Sequence, residues 1–309
     1  MCLYPKFIKN PKYLPNKKNH HNPPKAKDSR VMYVPIACGK CMECKKAKAR
    51  EWQVRLSEEI KHNRNGLFVT LTFNDESLSR YMQDTDDENI AAKKAVRHFL
   101  ERWRKKYGKS LKHWLVTEKG EDYDRIHLHG FLFTDQTEDV KKIWGNGFVY
   151  IGEYVNQRTV NYCVKYVQKQ DEKHKDFQQI ILTSPGIGRD YTKTMDFKKN
   201  TFKDLETNEM YKLPTGHKIP LPIYYRNKAY SESEREKLWL QKLDKKKRYV
   251  LGTEIDISTD KGLRRYKRVL KQAQEKNIQH GYKDCSNEWN ELKYSDFLKI
   301  VNKIHEKTC

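Results

Sequence analysis

Between residues 67 and 170 the chain switches repeatedly between two hydrophobic periods, and no other feature restricts its possible folds as much. LFVTLTF (67–73) sets Leu67, Val69, Leu71 and Phe73 against Phe68, Thr70 and Thr72, the two-residue alternation of a strand. IAAKKAVRHFLERWRKKYG (90–108) repeats apolar residues at helical spacing through Ala92, Val96, Phe99 and Trp103 and stops at Gly108. HWLVTE (113–118) and RIHLHGFLF (125–133) read as two more strands, joined by a polar turn around Gly120, Glu121 and Asp122. A short helix (136–144), a strand GFVYIGEY (147–154) and a helix QRTVNYCVKYVQKQ (157–170) complete the run. The order β-α-β-β-α-β plus one helix predicts an α+β fold: a central antiparallel sheet of split βαβ, ferredoxin- or RRM-like topology, with flanking helices. Many unrelated functions use such a sheet, so function has to be argued from the site.

The flanks are less regular. Residues 1 to about 35 are rich in Pro, Lys and Asn and predict an extended, partly ordered basic arm. Residues 43–62 predict a helix whose stripe Trp52, Leu56 and Ile60 packs on the main sheet. SPGIGRDY (184–191) reads as a turn presenting Arg189, and LPIYYRNK (221–228) as a loop presenting Tyr224, Tyr225 and Arg226. Lys-rich amphipathic helices are expected over roughly 231–247, 260–278 and 288–306, giving a helical C-terminal region. The expected organisation is an arm, cysteine cluster and helix over 1–62, a catalytic domain over 63–195 and a C-terminal region over 196–309.

Sixty-three Lys and Arg against forty-one Asp and Glu leave a formal charge of +22, spread along the whole chain. That excess is the electrostatic footprint of a nucleic-acid partner. Lys45, Lys46, Lys48, Arg50 and Arg55 with Trp52 nearby, and Arg189 downstream, are the candidate contacts, since cations beside an aromatic suit phosphates and unstacked bases. No apolar run approaches a membrane span and no signal-peptide layout opens the chain, so a soluble intracellular protein with no membrane partner is expected.

Cys38, Cys41 and Cys44 fall within seven residues, in a chain with seven cysteines. In a reducing compartment such a cluster reads as a metal site. Structural zinc requires four ligands, so a fourth must come from elsewhere: Cys2 first, then His20 or His21. An iron-sulfur cluster is the rival, although no cysteine stands three residues beyond Cys44, and free thiols are the remaining alternative. Cys163, Cys285 and Cys309 read as unpaired.

The catalytic candidates lie in the patterned core. His127 and His129 flank Leu128 on a strand, so both imidazoles share one face and can clamp a metal, while Gly130 admits a close neighbouring chain. Tyr162, Lys165, Tyr166 and Lys169 occupy i, i+3, i+4 and i+7 of a helix and so share a face. A phenol is a weak nucleophile at neutral pH and needs neighbouring cations or a polarised target. A metal on the histidines can polarise a phosphate while Lys165 or Lys169 stabilises developing charge. The product would be a 5′-phosphotyrosine link, which keeps the phosphodiester energy for rejoining, and two tyrosines one turn apart could alternate.

MCLYP, CGKCMECKKAKAREW, FVTLTF, HLHGFLF, YCVKYVQK and SPGIGRDY together resemble the HUH endonucleases, specifically the replication initiators of small single-stranded DNA phages of the microvirus, gokushovirus-like group. The resemblance spans most of residues 1 to about 230 and implies the HUH nuclease version of the sheet. It implies rolling-circle initiation: nicking at the phage origin of the double-stranded replicative form, attachment to the 5′ end, and later circularisation of the displaced strand. Single-stranded origin DNA would be the substrate, host helicase and polymerase the partners, and the host bacterial cytoplasm the location. A third metal ligand is implied at Glu118, where the sequence reads Thr117, Glu118, Lys119, Gly120 in place of a common Gly-Glu-Tyr-Gly. Mg²⁺ or Mn²⁺ would serve at the histidines, Mn²⁺ accepting the mixed donor set more readily. If one tyrosine is essential, the Tyr-x-x-Lys spacing favours Tyr166 with Lys169. A plasmid initiator, relaxase or transposase of the same chemistry, a non-catalytic RRM-like nucleic-acid-binding module, and a zinc-dependent transcription regulator are the competing readings.

Overall fold

The computed structural model describes residues 1–120, 124–152, 154–169, 173–174 and 177–286. In chain order its regular elements are β1 (Lys6–Lys9), β2 (Tyr33–Ile36), α1 (Met42–His62), β3 (Gly66–Leu71), α2 (Asp75–Met82), α3 (Glu88–Tyr107), β4 (Lys112–Lys119) and β5 (Ile126–Phe133). These are followed by α4 (Thr137–Trp144), β6 (Val149–Gly152), α5 (Gln157–Gln168), β7 (Ile181–Thr183), α6 (Met195–Lys198), β8 (Met210–Lys212) and β9 (Lys218–Pro220). The last are α7 (Ile223–Ala229), α8 (Glu232–Asp244), β10 (Lys247–Val250), β11 (Thr253–Asp256) and α9 (Asp260–Gln279). Two compact units result, one comprising Lys48–Thr194 and the other Met1–Ala47 with the described residues from Met195 onward.

The Lys48–Thr194 unit is built on a five-stranded sheet of order β6-β3-β5-β4-β7, antiparallel at every pairing. Without its last strand this is the split βαβ sheet that the hydrophobic periods predict, in an α+β fold. One face packs on α3 and α4: Leu115, Leu128 and Leu132 meet Ala92, Val96, Phe99, Trp103 and Trp144. The other face packs on α1 and α5, where Trp114, Val116 and Phe131 meet Trp52, Leu56, Val160, Cys163 and Val167. Each fully buried large side chain contributes about 2 kcal/mol by removal from water, so the two faces fix the strand register. Asp87 caps the start of α3 and Gly108, left-handed at φ +69°, ends it.

The structure adds α2 and β7 to the expected elements. Helix α2 has a legible start, Asn74 accepting the Ser77 amide ahead of Asp75 and Glu76. Strand β7 is only three residues long and lacks any periodic signal of its own. Ile187 and Gly188 of the SPGIGRDY turn are anchored by α1: Arg55 Nε donates to the Ile187 carbonyl at 3.1 Å, and buried Glu59 accepts from the Gly188 amide at 2.7 Å and from Lys112 Nζ at 2.7 Å. Glu59→Ala removes the acceptor for both groups, and is expected to cost about 3 kcal/mol in the urea unfolding free energy. An unchanged midpoint would show the turn is held by packing alone.

In the other unit the segment expected as an extended arm is folded. Strands β1 and β2 pair in register Lys6↔Ile36 to Lys9↔Tyr33, and Leu3 and Tyr4 are buried. The pairing joins segments about 27 residues apart, which local composition does not reveal. Leu3, Tyr4, Met42, Val250, Ile255, Tyr266, Leu270 and Ala273 form its core, with α9 as the main helix. The segment around Tyr224 is also corrected: it is helix α7, with Tyr225 fully buried, because its aromatic pair supplies packing area. The helix expected over 288–306 and Cys309 lie outside the described residues.

Candidate active site

Alternation along β5 buries Ile126 and Leu128 and turns His127 and His129 to the opposite face, the one covered by α5. His129 sits between Thr70 of β3 and Val116 of β4 in the sheet register, and Glu118 pairs with His127. The His129 ring is fixed on three sides. Its Nδ1 lies 3.0 Å from Thr70 Oγ1, its Nε2 lies 3.0 Å from Glu118 Oε2, and its plane stacks on Tyr166 at 4.6 Å and 9°. The other Glu118 oxygen accepts from Lys169 Nζ at 2.6 Å. Burial raises the Glu118 carboxyl, but the hydrogen bonds from His129 and Lys169 outweigh it and hold the group below its ordinary range.

The His127 and His129 ring centroids are 6.3 Å apart and the planes tilted by 30°. Burial, then the neighbouring His129, pushes the His127 pKa down and favours the neutral, ligand-competent imidazole. Gly120 leaves room for that ring, since a Cβ there would lie 2.6 Å from His127 Cε1. Two imidazoles and a carboxylate form a mixed N/O donor set. The 3.0 Å between His129 Nε2 and Glu118 Oε2 matches the spacing of about 3.0 Å between adjacent ligands around an octahedral ion with ~2.1 Å bonds. The set thus suits Mg²⁺ or Mn²⁺.

On α5, Tyr166 donates a hydrogen bond to the Tyr162 hydroxyl, and the rings meet edge-on at 5.2 Å. Tyr162 is 44% exposed and Tyr166 9%. Burial, the Tyr162 contact and the Glu118 charge raise the Tyr166 pKa well above that of a free phenol. Lys169 lies 5.8 Å from the Tyr166 ring centre, whereas Lys165 is exposed and makes no ion pair among the described residues. The structure therefore gathers His129, Glu118, Tyr162, Tyr166 and Lys169, with His127 on the same face, and leaves Lys165 outside. Cys163 is buried in the core.

Three of the candidate DNA contacts are corrected. Trp52 packs against Trp114 at 5.8 Å, Arg55 lies over the Trp52 ring at 4.1 Å, and both are buried, as is Lys45. The predicted packing stripe on α1 takes up the aromatic surface assigned to bases. Lys48, Arg50 and Arg189 are exposed and Lys46 is half-buried. Aromatic surface lies elsewhere: Phe148 is 70% and Tyr150 51% exposed at the β6 edge, and Phe68 bridges Tyr150 and Tyr162 at 6.2 and 5.9 Å. Thr70 is the other residue missed; its only sequence signal is a polar position on the histidine face of a strand.

Residues 66–171 match the family described as replication-associated protein ORF2, and this segment carries all of the cluster just described. Its curated relatives are phage proteins. The chain is 25% identical over 229 residues to replication-associated protein VP4 of Bdellovibrio phage phiMH2K, covering 66% of this chain and 70% of that one. It is 27% identical over 198 residues to replication-associated protein ORF2 of Spiroplasma virus 4, and 24% over 187 residues to ORF4 of Chlamydia phage 1, covering 60% and 46% of those proteins. The chain is thus a relative of the phage replication initiators of the Microviridae type. No solved structure matches it.

Proposed function

We propose that this protein initiates rolling-circle replication by nicking single-stranded DNA at a phage origin and rejoining it, through a tyrosine that becomes linked to the 5′ phosphate, in the cytoplasm of the host bacterium. The observation that carries this reading is the contact of a His and carboxylate donor pair with two hydrogen-bonded tyrosines and a lysine on one face of the sheet.

A divalent ion held by His127, His129 and Glu118 would supply Lewis-acid activation of the scissile phosphate. The chain's own groups do the rest. Thr70 and the Tyr166 ring hold His129 in one orientation, and Lys169 compensates the Glu118 charge. In the transfer a Tyr Oη–P bond forms and the P–O3′ bond breaks, and the phenolic proton ends on the released 3′ hydroxyl. Reversal by that or another 3′ hydroxyl rejoins the strand without ATP. Phe148, Tyr150 and Tyr162 offer faces for unstacked bases, and Lys46, Lys48, Arg50 and Arg189 offer phosphate contacts. Host helicase and polymerase would act on the nicked product.

The test is a labelled oligonucleotide carrying the phage origin, incubated with the full chain and Mn²⁺ and resolved under denaturing conditions. A denaturation-resistant adduct is expected, and His129→Ala should slow its formation about 100-fold or more. Tight binding with no cleavage under any divalent ion would overturn the enzyme reading and leave a binding module.

A further inference from the structure

The unit containing the N-terminus carries a second constellation, separate in sequence from the catalytic cluster. Cys2, Cys38, Cys41 and Cys44 place their Sγ atoms all within 4.8 Å of one another, with Cys38 and Cys44 at 3.9 Å. Backbone amides are directed at these sulfurs: Tyr4 and Cys38 donate to Cys2 Sγ at 3.4 and 3.3 Å, and Cys41 donates to Cys38 Sγ at 3.4 Å. Amides aimed at sulfur stabilise thiolates, the form that binds metal. Gly39, at φ +76°, makes the tight turn that brings Cys38 and Cys41 together. Cys44 follows in the first turn of α1, whose Met42 amide is held by the fully buried Asn277 of α9 at 2.8 Å. Leu3, Tyr4, Tyr266 and Leu270 surround the cluster.

We infer that these four cysteines bind one zinc ion as a closed tetrathiolate that staples the start of the chain to α1. A tetrahedron with Zn–S bonds of ~2.3 Å has edges of about 3.8 Å, close to the sulfur spacing found. A polynuclear iron-sulfur cluster distributes its thiolates over several irons and holds the sulfurs farther apart. Four protein ligands leave no open position, so the ion is structural and takes no part in phosphate chemistry. On binding, thiol protons are released and four S–Zn bonds form, with no change of oxidation state. The first strand pair, β1 and β2, lies between Cys2 and Cys38, so the ion closes a 36-residue segment that contains it. Apolar packing in this unit is modest, and metal binding there contributes directly to folding. The inference does not rest on the nicking reading, and its tests read zinc and thiols instead of cleavage.

Elemental analysis of the full chain, dialysed against EDTA to clear weakly held divalent ions, should give one zinc per chain. Titration with a mercurial should release that zinc as four thiols react. Cobalt substitution should give the intense visible bands and sulfur-to-metal charge transfer of a tetrahedral tetrathiolate. Cys2→Ser and Cys38→Ser should lose the ion, while Cys163→Ser keeps it. If the Cys variants fail to fold, the wild-type zinc count and cobalt spectrum decide the matter. Iron in place of zinc, no bound metal, or retention of zinc by Cys2→Ser in a folded chain would each overturn the assignment.

Discussion

Tyr162→Phe is expected to abolish the covalent adduct on single-stranded origin DNA, a loss of at least about 10³-fold in single-turnover cleavage. Tyr166→Phe should retain a first cleavage, slowed about 10-fold, and fail in rejoining. The asymmetry follows from how α5 presents the two phenols. Tyr162 is 44% exposed, with its hydroxyl accepting the hydrogen bond from Tyr166. Donation to an oxygen stabilises the charge that develops as that oxygen gives up its proton, so Tyr166 assists Tyr162 and not the reverse. Tyr166 itself is 9% exposed and lies flat on His129, which shields its hydroxyl until the site rearranges. The spacing Tyr-x-x-Lys favours Tyr166, but Lys169 is drawn to Glu118 at 2.6 Å and serves the carboxylate first. Single-turnover cleavage of a 5′-labelled and a 3′-labelled strand reads both steps. An adduct that survives Tyr162→Phe and disappears with Tyr166→Phe would assign the first attack to the buried phenol and sink this order.

The central sheet was legible because its residues obey one period at a time. Leu115, Leu128 and Leu132 face one layer and Trp114, Val116 and Phe131 the other, so alternation alone separates the two cores. The same alternation places His127 and His129 together, and the i, i+4 spacing places Tyr162 over Tyr166. Sequence could not reveal which residues from distant segments close around them. Thr70 reaches His129 across the β3–β5 pairing, and the β1–β2 pairing joins two segments that are individually too short and too polar to read as strands. Trp52 shows a conflict of another kind. It lay both on the packing stripe of α1 and in the candidate DNA patch, and burial against Trp114 resolves the conflict in favour of packing, since an indole removed from water gains more than one left exposed. The exposed aromatics Phe148 and Tyr150 escaped notice because an edge strand with apolar residues on both faces resembles a buried one.

Gly130→Ala is expected to destabilise the Lys48–Thr194 unit by at least about 3 kcal/mol and to remove nicking along with it. Gly130 stands opposite Leu115 in the β4–β5 pairing. A Cβ there would lie 2.0 Å from the Trp114 carbonyl oxygen and 2.9 Å from Leu115 Cα. Both obstacles are backbone, so no rotamer change relieves the clash and β4 must move away from β5. That displacement separates the two strands carrying the donor set, because Glu118 comes from β4 and His129 from β5. A loss of activity caused by Gly130→Ala should therefore accompany a lower urea midpoint, whereas His129→Ala should lose activity with the midpoint nearly unchanged. Ordinary stability in Gly130→Ala would mean that β4 approaches β5 less closely than the sheet geometry requires. The difference between the two variants also separates the roles of adjacent residues on one strand: the glycine sets the distance between the chains, and the histidine uses it.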